Sequence, residues 1–236
     1  MTIVFLTVIV FSAALTQSLI GFGWALVAMP LLAELLGIQI AAPLVALLAL
    51  SLESFLVIRY RFDLSLSAIW QLVIGAMVGI PLGILALGYL DETVILTIMG
   101  VLVIIYSLTV LSGLKMPRLE GSIWAYGVGL VAGTLAGAYN APGPPVIIYG
   151  QCRRWSPLVF KGNLQAFFVA TGVFVVLGHV VAGNLVPAVW RGYLVALAPV
   201  GLGILAGQRL EGRVNPEQFR KLVLVALIVI GLTLVF

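Results

Sequence analysis

Charged side chains are so scarce in this chain that water cannot be its solvent. Stretches such as Val94–Leu111 and Leu222–Phe236 contain none at all. Only 8% of the 236 residues are charged, and the mean hydropathy is +1.24. A soluble domain carries about 25% charged residues. With so few, the surface must face lipid. A membrane β-barrel alternates residue by residue, and these runs do not alternate. The fold class that follows is an all-α polytopic membrane protein.

Residues Met1–Leu15 are apolar from the start and lack the basic flank and small-residue cleavage site of a signal peptide. They read as a first helix. The single cysteine, Cys152, excludes an internal disulfide framework and reads as a small apolar residue. The net charge of +4 lies in short loops. It reports orientation across the bilayer, not a nucleic-acid partner.

The chain repeats itself. Gly83-Ile84-Leu85-Ala86 recurs 120 positions later as Gly203-Ile204-Leu205-Ala206, and the same shift sets Trp70 on Trp190, Asp91 on Glu211 and Gly23 on Gly143. Leu and Ala matches are cheap in this composition; the Trp pair and the contiguous tetrad are not. Duplication follows, with 1–115 as the first transmembrane repeat and 120–236 as the second. The apolar runs place helices at Thr2–Gln17, Trp24–Leu36, Ile40–Ile58, Leu66–Leu90 and Thr93–Ser112. In the second half they fall at Ser122–Gly137, Pro145–Cys152, Pro157–Ala182, Val189–Leu210 and Pro216–Phe236.

The second segment of each half is too short to span. Thirteen residues, Trp24–Leu36, reach about 20 Å against about 30 Å of hydrocarbon. The first two segments of each half therefore form either a hairpin that enters and returns or one broken span. Loop charges favour the hairpin. Arg59 and Arg61 mark one cytoplasmic loop, Lys115 and Arg118 the next but one, and Asp91 and Glu92 lie in the outer loop between. A hairpin in the second half keeps Arg153, Arg154, Lys161, Arg209, Arg213, Arg220 and Lys221 inside, leaving only His179 and Arg191 near the outer face. Five segments of this kind invert the second half relative to the first. The expected architecture is two inverted repeats of about five helical segments, with short hairpin half-helices at the midplane. Parallel halves of four full spans each are the alternative.

Two breaks interrupt the apolar runs at corresponding places: Thr16-Gln17-Ser18-Leu19-Ile20-Gly21-Phe22-Gly23 and Ala138-Tyr139-Asn140-Ala141-Pro142-Gly143-Pro144-Pro145. Irregular backbone at membrane depth survives only where protein or a water-filled cavity covers it, and paired breaks point to a transporter's binding site. Gly21 and Gly23 let backbone N–H groups approach a ligand closely. The helices after the breaks begin with unpaired N–H groups and a partial positive charge, which suits an anion. Gln17, Ser18, Tyr139 and Asn140 add neutral hydrogen-bonding groups, and Trp24 follows the first break closely enough to line it. Pro144 and Pro145 fit a helix start but remove two donors. Kinks packed against neighbouring helices are the plainer account.

At these residues the chain resembles the sulfite exporter TauE/SafE family, part of the toluene-sulfonate uptake permease superfamily. The resemblance rests on Gln17-Ser18-Leu19-Ile20-Gly21-Phe22-Gly23 with Pro30, and on Gly133-Thr134-Leu135-Ala136-Gly137 running to Pro142-Gly143-Pro144. Phe160-Lys161-Gly162-Asn163-Leu164-Gln165 is similar to a further family stretch, with Asn163 and Gln165 where small hydroxyl residues are usual. It implies movement of sulfite, sulfonates or other sulfur-containing anions across a bacterial cell inner membrane, in which the chain is multi-pass.

The expected function is a secondary transporter that moves a small sulfur anion by alternating access, driven by a proton gradient or the membrane potential. A passive anion or proton channel is the alternative. The expected substrate-binding residues are Gln17, Ser18, Gly21, Phe22, Gly23, Trp24, Tyr139, Asn140, Gly143, Asn163 and Gln165. Glu53 lies inside a helix, where a carboxylate is costly and points to function; it either carries a coupling proton or pairs with Arg59. His179 is poised for proton coupling, although a lone histidine near a helix end also reads as interfacial. Lys161 either attracts the anion or snorkels to the cytoplasm. Trp70, Trp124, Trp155 and Trp190 read as an aromatic belt. No phosphate-binding Gly-x-x-x-x-Gly-Lys pattern occurs. One histidine and no aspartate inside a helix leave little for an intramembrane enzyme, so no enzyme activity, cofactor or metal is expected. The expected partners are the anion and the lipid bilayer, with a homodimer admitted.

Overall fold

A computed structural model of the protein describes residues 2–113 and 117–236, the side chains of Thr2 and Glu92 excepted. Lys115, one of the residues used above for orientation, lies outside the described residues. Among the described residues the chain forms ten helices: α1 (Thr2–Ile20), α2 (Trp24–Leu36), α3 (Ile38–Arg59), α4 (Leu66–Tyr89), α5 (Glu92–Leu111), α6 (Ser122–Tyr139), α7 (Gly143–Cys152), α8 (Pro157–Val181), α9 (Pro187–Leu210) and α10 (Pro216–Val235). Seven of these, α1, α3, α4, α5, α8, α9 and α10, are long and apolar enough to cross a membrane. The protein is a multi-pass α-helical membrane protein. Only the second limb of each expected hairpin is short: α2 has 13 residues and α7 has 10, whereas α1 has 19 and α6 has 18.

The helices build two compact units. One comprises Met1–Leu48, Leu90–Leu114 and Val186–Phe236, the other Ala49–Tyr89 and Lys115–Leu185. Both sequence halves contribute helices to both units.

In the first unit α1 lies along α9. The bare Cα of Gly203 meets Phe11, Ala14 and Leu15, and that of Gly207 meets Leu15 and Ser18. Positions rise together on both helices, so the two run parallel. Gly100 of α5 meets Gly231, Leu234 and Val235 of α10, while Ile104 meets Gly231. Here one numbering rises as the other falls, and the pair is antiparallel. Short α2 packs on α1, α5 and α10.

In the second unit α4 and α6 are zipped together by glycines. Gly75, Gly79 and Gly83 on α4 interleave with Gly129, Gly133 and Gly137 on α6, again in parallel. In lipid there is no hydrophobic drive between helices, and small residues at every fourth position let the backbones pack closely instead. A Cβ on Gly79 would collide with the Leu130 carbonyl, and one on Gly133 with that of Ala76. Residues 49–59 of α3 run antiparallel to α8. The Lys161 ammonium sits 5.5 Å from the Tyr60 ring centre, while Leu50 and Glu53, further back along α3, meet Gly172, further along α8.

The 120-residue shift maps α1, α3, α4 and α5 onto α6, α8, α9 and α10. The parallel pair α4·α6 of one unit thus corresponds to the parallel pair α9·α1 of the other. Both antiparallel pairs, α3·α8 and α5·α10, join a helix to its own counterpart.

Candidate functional site

The first break is narrower than its sequence suggested. Helix α1 continues through Gln17 and Ser18 to Ile20, because the Gln17 carbonyl accepts the Gly21 N–H at 2.8 Å. The irregular residues are Gly21, Phe22 and Gly23. Gly21 has φ 85° and Gly23 φ 109°, a left-handed region closed to most side chains. The reversal brings Trp24, the first residue of α2, back over the last turn of α1. There the Gln17 side-chain carbonyl accepts the Trp24 N–H at 2.9 Å. A residue seven places upstream therefore caps α2, in place of a polar side chain at the cap position itself. Gly23 is pressed against Thr16, whose Cγ2 would be 3.0 Å from an added Cβ.

The other polar atoms here are engaged with backbone. The Ser18 hydroxyl donates to the Ile204 carbonyl of α9 at 3.1 Å. The Trp24 indole N–H donates to the Val45 carbonyl of α3 at 3.3 Å, and the ring is 1% exposed. Ser18 thus holds α1 to α9, and Trp24 pins α2 to α3. Gln17, Ser18, Gly21, Phe22, Gly23 and Trp24 form one buried cluster without a charged side chain.

The second break differs in construction. Helix α6 runs to Tyr139 and is closed by Asn140, which takes the left-handed conformation at φ 54° while its N–H bonds the Ala136 carbonyl at 2.9 Å. Asparagine is among the few side chains that adopt it readily. Helix α7 starts at Gly143, two residues earlier than the apolar pattern suggested. Its first turn accepts Pro144 and Pro145 because N–H groups there have no intrahelical partner to lose. Tyr139, Asn140 and Gly143 are buried together in this break. The bare Cα of Gly143 faces Phe168 of α8, whose ring edge would lie 3.8 Å from a Cβ. Nothing in the sequence marks Phe168 as a neighbour of the break.

Asn163 and Gln165 are fully buried on α8. The Asn163 side-chain carbonyl accepts the Ser65 N–H at 2.7 Å, which fixes the loop before α4. Its amide nitrogen Nδ2 is buried with no partner among the described residues. Glu53 is 7% exposed and lies against Gly172. It makes no ion pair with Arg59, which points to the surface. His179 is buried in the last turn of α8; its Nδ1 lies 3.0 Å from the Asn184 amide nitrogen, and its Nε2 has no partner among the described residues. Lys161 rests over the Tyr60 ring. Trp70, Trp124 and Trp190 are half-exposed near the first turns of α4, α6 and α9, where amphipathic rings suit a membrane interface.

Each break is thus a buried, uncharged interruption between helices in an apolar protein, and the sequence profile of one transporter family covers both. That profile, sulfite exporter TauE/SafE, matches residues 6–234. The chain belongs to the TauE/SafE family. Neither a curated protein nor a solved structure gives a match. Membership places the protein among membrane transporters of sulfite-type anions, and the match takes in both sequence halves.

Proposed function

We propose that this TauE/SafE protein is a secondary transporter that carries sulfite or a small sulfonate across the bacterial cytoplasmic membrane by alternating access, binding the anion at its first helix break. The observation that carries the reading is the Gly21–Gly23 reversal at the head of α2. The first turn of a helix has N–H groups without intrahelical acceptors and carries roughly half a positive charge. Gln17 occupies the Trp24 donor, and the Ala25 and Leu26 N–H groups come next in the same turn. Such a turn attracts an anion. With no full charge beside it, the anion is held loosely enough to be released. At the second break Pro144 and Pro145 leave fewer donors. Elsewhere, on α8, the buried Asn163 amide nitrogen has no partner among the described residues and is a further neutral donor.

Alternating access draws support from the pairing of duplicated helices. Inverted repeats place counterpart helices antiparallel about an axis in the membrane plane, and α3·α8 and α5·α10 are antiparallel.

The test uses purified protein in liposomes and [35S]sulfite. The wild type should accumulate label against its gradient by exchange with unlabelled sulfite inside. Gly23→Leu should insert normally and lose that exchange. Wild-type flux in Gly23→Leu would overturn the assignment to the break. Downhill flux without exchange in the wild type would replace the transporter with a passive channel.

A further inference from the structure

We infer that Glu53 is a proton-carrying site, set where α3 crosses its own duplicate α8. It gives the transport cycle its coupling ion and in that respect rests on the reading above; the presence of the proton on Glu53 does not.

The placement comes from two observations. Leu50 and Glu53 meet Gly172, whose added Cβ would lie 3.5 Å from Leu50 Cδ1 and from Glu53 Oε2. The 120-residue shift carries Ser51 to Thr171 and Glu53 to Val173. The two duplicated helices thus cross at duplicated positions. A crossing of that kind lies on the axis relating the two copies. In an inverted repeat this is where one copy moves against the other, and where transporter sites are found. Gly172 brings α8 to within reach of the carboxyl there.

The carboxyl is isolated. Glu53 is 7% exposed as a residue, and among the described residues no hydrogen bond or ion pair reaches its carboxyl. Helices α4, α6 and α7 of the same unit contain no Asp, Glu, Lys, Arg or His. On α8 the charged or titratable groups are Lys161 and His179. They stand eleven and seven residues from Gly172, about 16 Å and 10 Å along the axis. Lys161 is turned to the Tyr60 ring, and His179 to Asn184. On α3 itself Arg59 lies six residues on, exposed. An ionised carboxylate so placed costs several kcal/mol or more and takes up a proton instead. Glu53 therefore holds its O–H while it lies against Gly172 as seen. It gives the proton to water when a movement of α3 away from α8 admits water, leaving the carboxylate, and takes one back on the other side.

Two measurements test this. Infrared difference spectra of the purified protein on an alkaline pH jump should show loss of a protonated-carboxyl band in the wild type, and no such band in E53Q. This arm needs no substrate, so it stands if sulfite proves not to be carried. In liposomes, one proton per anion across about one pH unit is worth about 1.4 kcal/mol, or tenfold accumulation. The wild type should reach that [35S]sulfite ratio above protein-free liposomes. E53Q should fall to the protein-free value while still exchanging sulfite. Retention of the protonated-carboxyl band in E53Q, or pH-driven accumulation in E53Q equal to that of the wild type, overturns the proposal. Absence of exchange in the wild type defeats the transport reading alone.

Discussion

Gln17 serves the fold through an atom that an anion would not use. Its side-chain oxygen accepts the Trp24 N–H, and an acceptor in that position is all that α2 needs to start. Gln17→Glu keeps an acceptor, but the helix N-terminus returns only about 0.3–1 kcal/mol of the several kcal/mol that a carboxylate at this 1%-exposed position costs. The melting temperature in detergent should therefore fall. Sulfite exchange should fall further than that loss of stability accounts for, because the new charge competes with the anion. Gln17→Leu removes the acceptor and strands a buried N–H, a loss of about 1–3 kcal/mol, so the melting temperature should fall. A merely structural Gln17 would give transport that tracks stability in both variants; normal exchange in Gln17→Glu would remove this break from the anion path. Gly23 belongs to the same scale. Any side chain there meets φ 109° as well as Thr16, and left-handed strain of this kind costs on the order of 1–3 kcal/mol. Gly23→Ala should lower the melting temperature even before transport is measured.

At the scale of helices, the α4·α6 zipper fixes which glycines matter. Gly133 lies under the Ala76 carbonyl, so Gly133→Ala must push the helices apart. Gly127, on the same helix, has nothing within 4 Å of an added Cβ. Gly127→Ala should be neutral or stabilising by up to about 1 kcal/mol, the propensity gain of Ala over Gly. Gly133→Ala should lower the melting temperature, and equal behaviour of the two variants would contradict the packing. Helix positions were legible in the sequence because an apolar run in lipid has few ways to satisfy its backbone. Trp24–Leu36 was read to the residue, and the other helices differ by up to three residues at either end. The limits of the breaks were not legible. Polar side chains at Gln17 and Ser18 suggested an interruption, but each can hydrogen-bond from within a helix, and only positive φ at Gly21 and Gly23 ends α1. Nor could the sequence reveal that the Ser18 hydroxyl is spent on Ile204, 186 positions away. That contact depends on α1 packing against α9, which duplication alone does not specify. The burial of His179 was missed for a like reason: nearness to a helix end says nothing of what packs around it.

At the scale of the whole chain, the question is which faces of the membrane the loops occupy, and one antiparallel pair bears on it. The end of α3 and the start of α8 lie together, with Lys161 over the Tyr60 ring. Phe62 and Ser156, just beyond these ends, should therefore open to one side of the bilayer, and Asn184, past the far end of α8, to the other. A hairpin of α6 and α7 produces this arrangement, because it returns the chain to its starting side before α8. A single broken span across α6 and α7 would instead put Ser156 opposite Phe62 and turn α8 parallel to α3. Basic residues point the same way: Arg59, Arg61, Arg153 and Arg154 all flank the shared side, and basic loops stay cytoplasmic. Single cysteines at Phe62, Ser156 and Asn184, in a chain whose own buried Cys152 is replaced by alanine, can be labelled with a membrane-impermeant maleimide in vesicles of known orientation. Phe62→Cys and Ser156→Cys should react only in inside-out vesicles, and Asn184→Cys only in right-side-out ones. Labelling of Ser156→Cys only in right-side-out vesicles, with Asn184→Cys reacting beside Phe62→Cys in inside-out ones, would mean that the halves run parallel. The axis would then leave the membrane plane, and with it would go the argument that places Glu53 where the two copies move against each other.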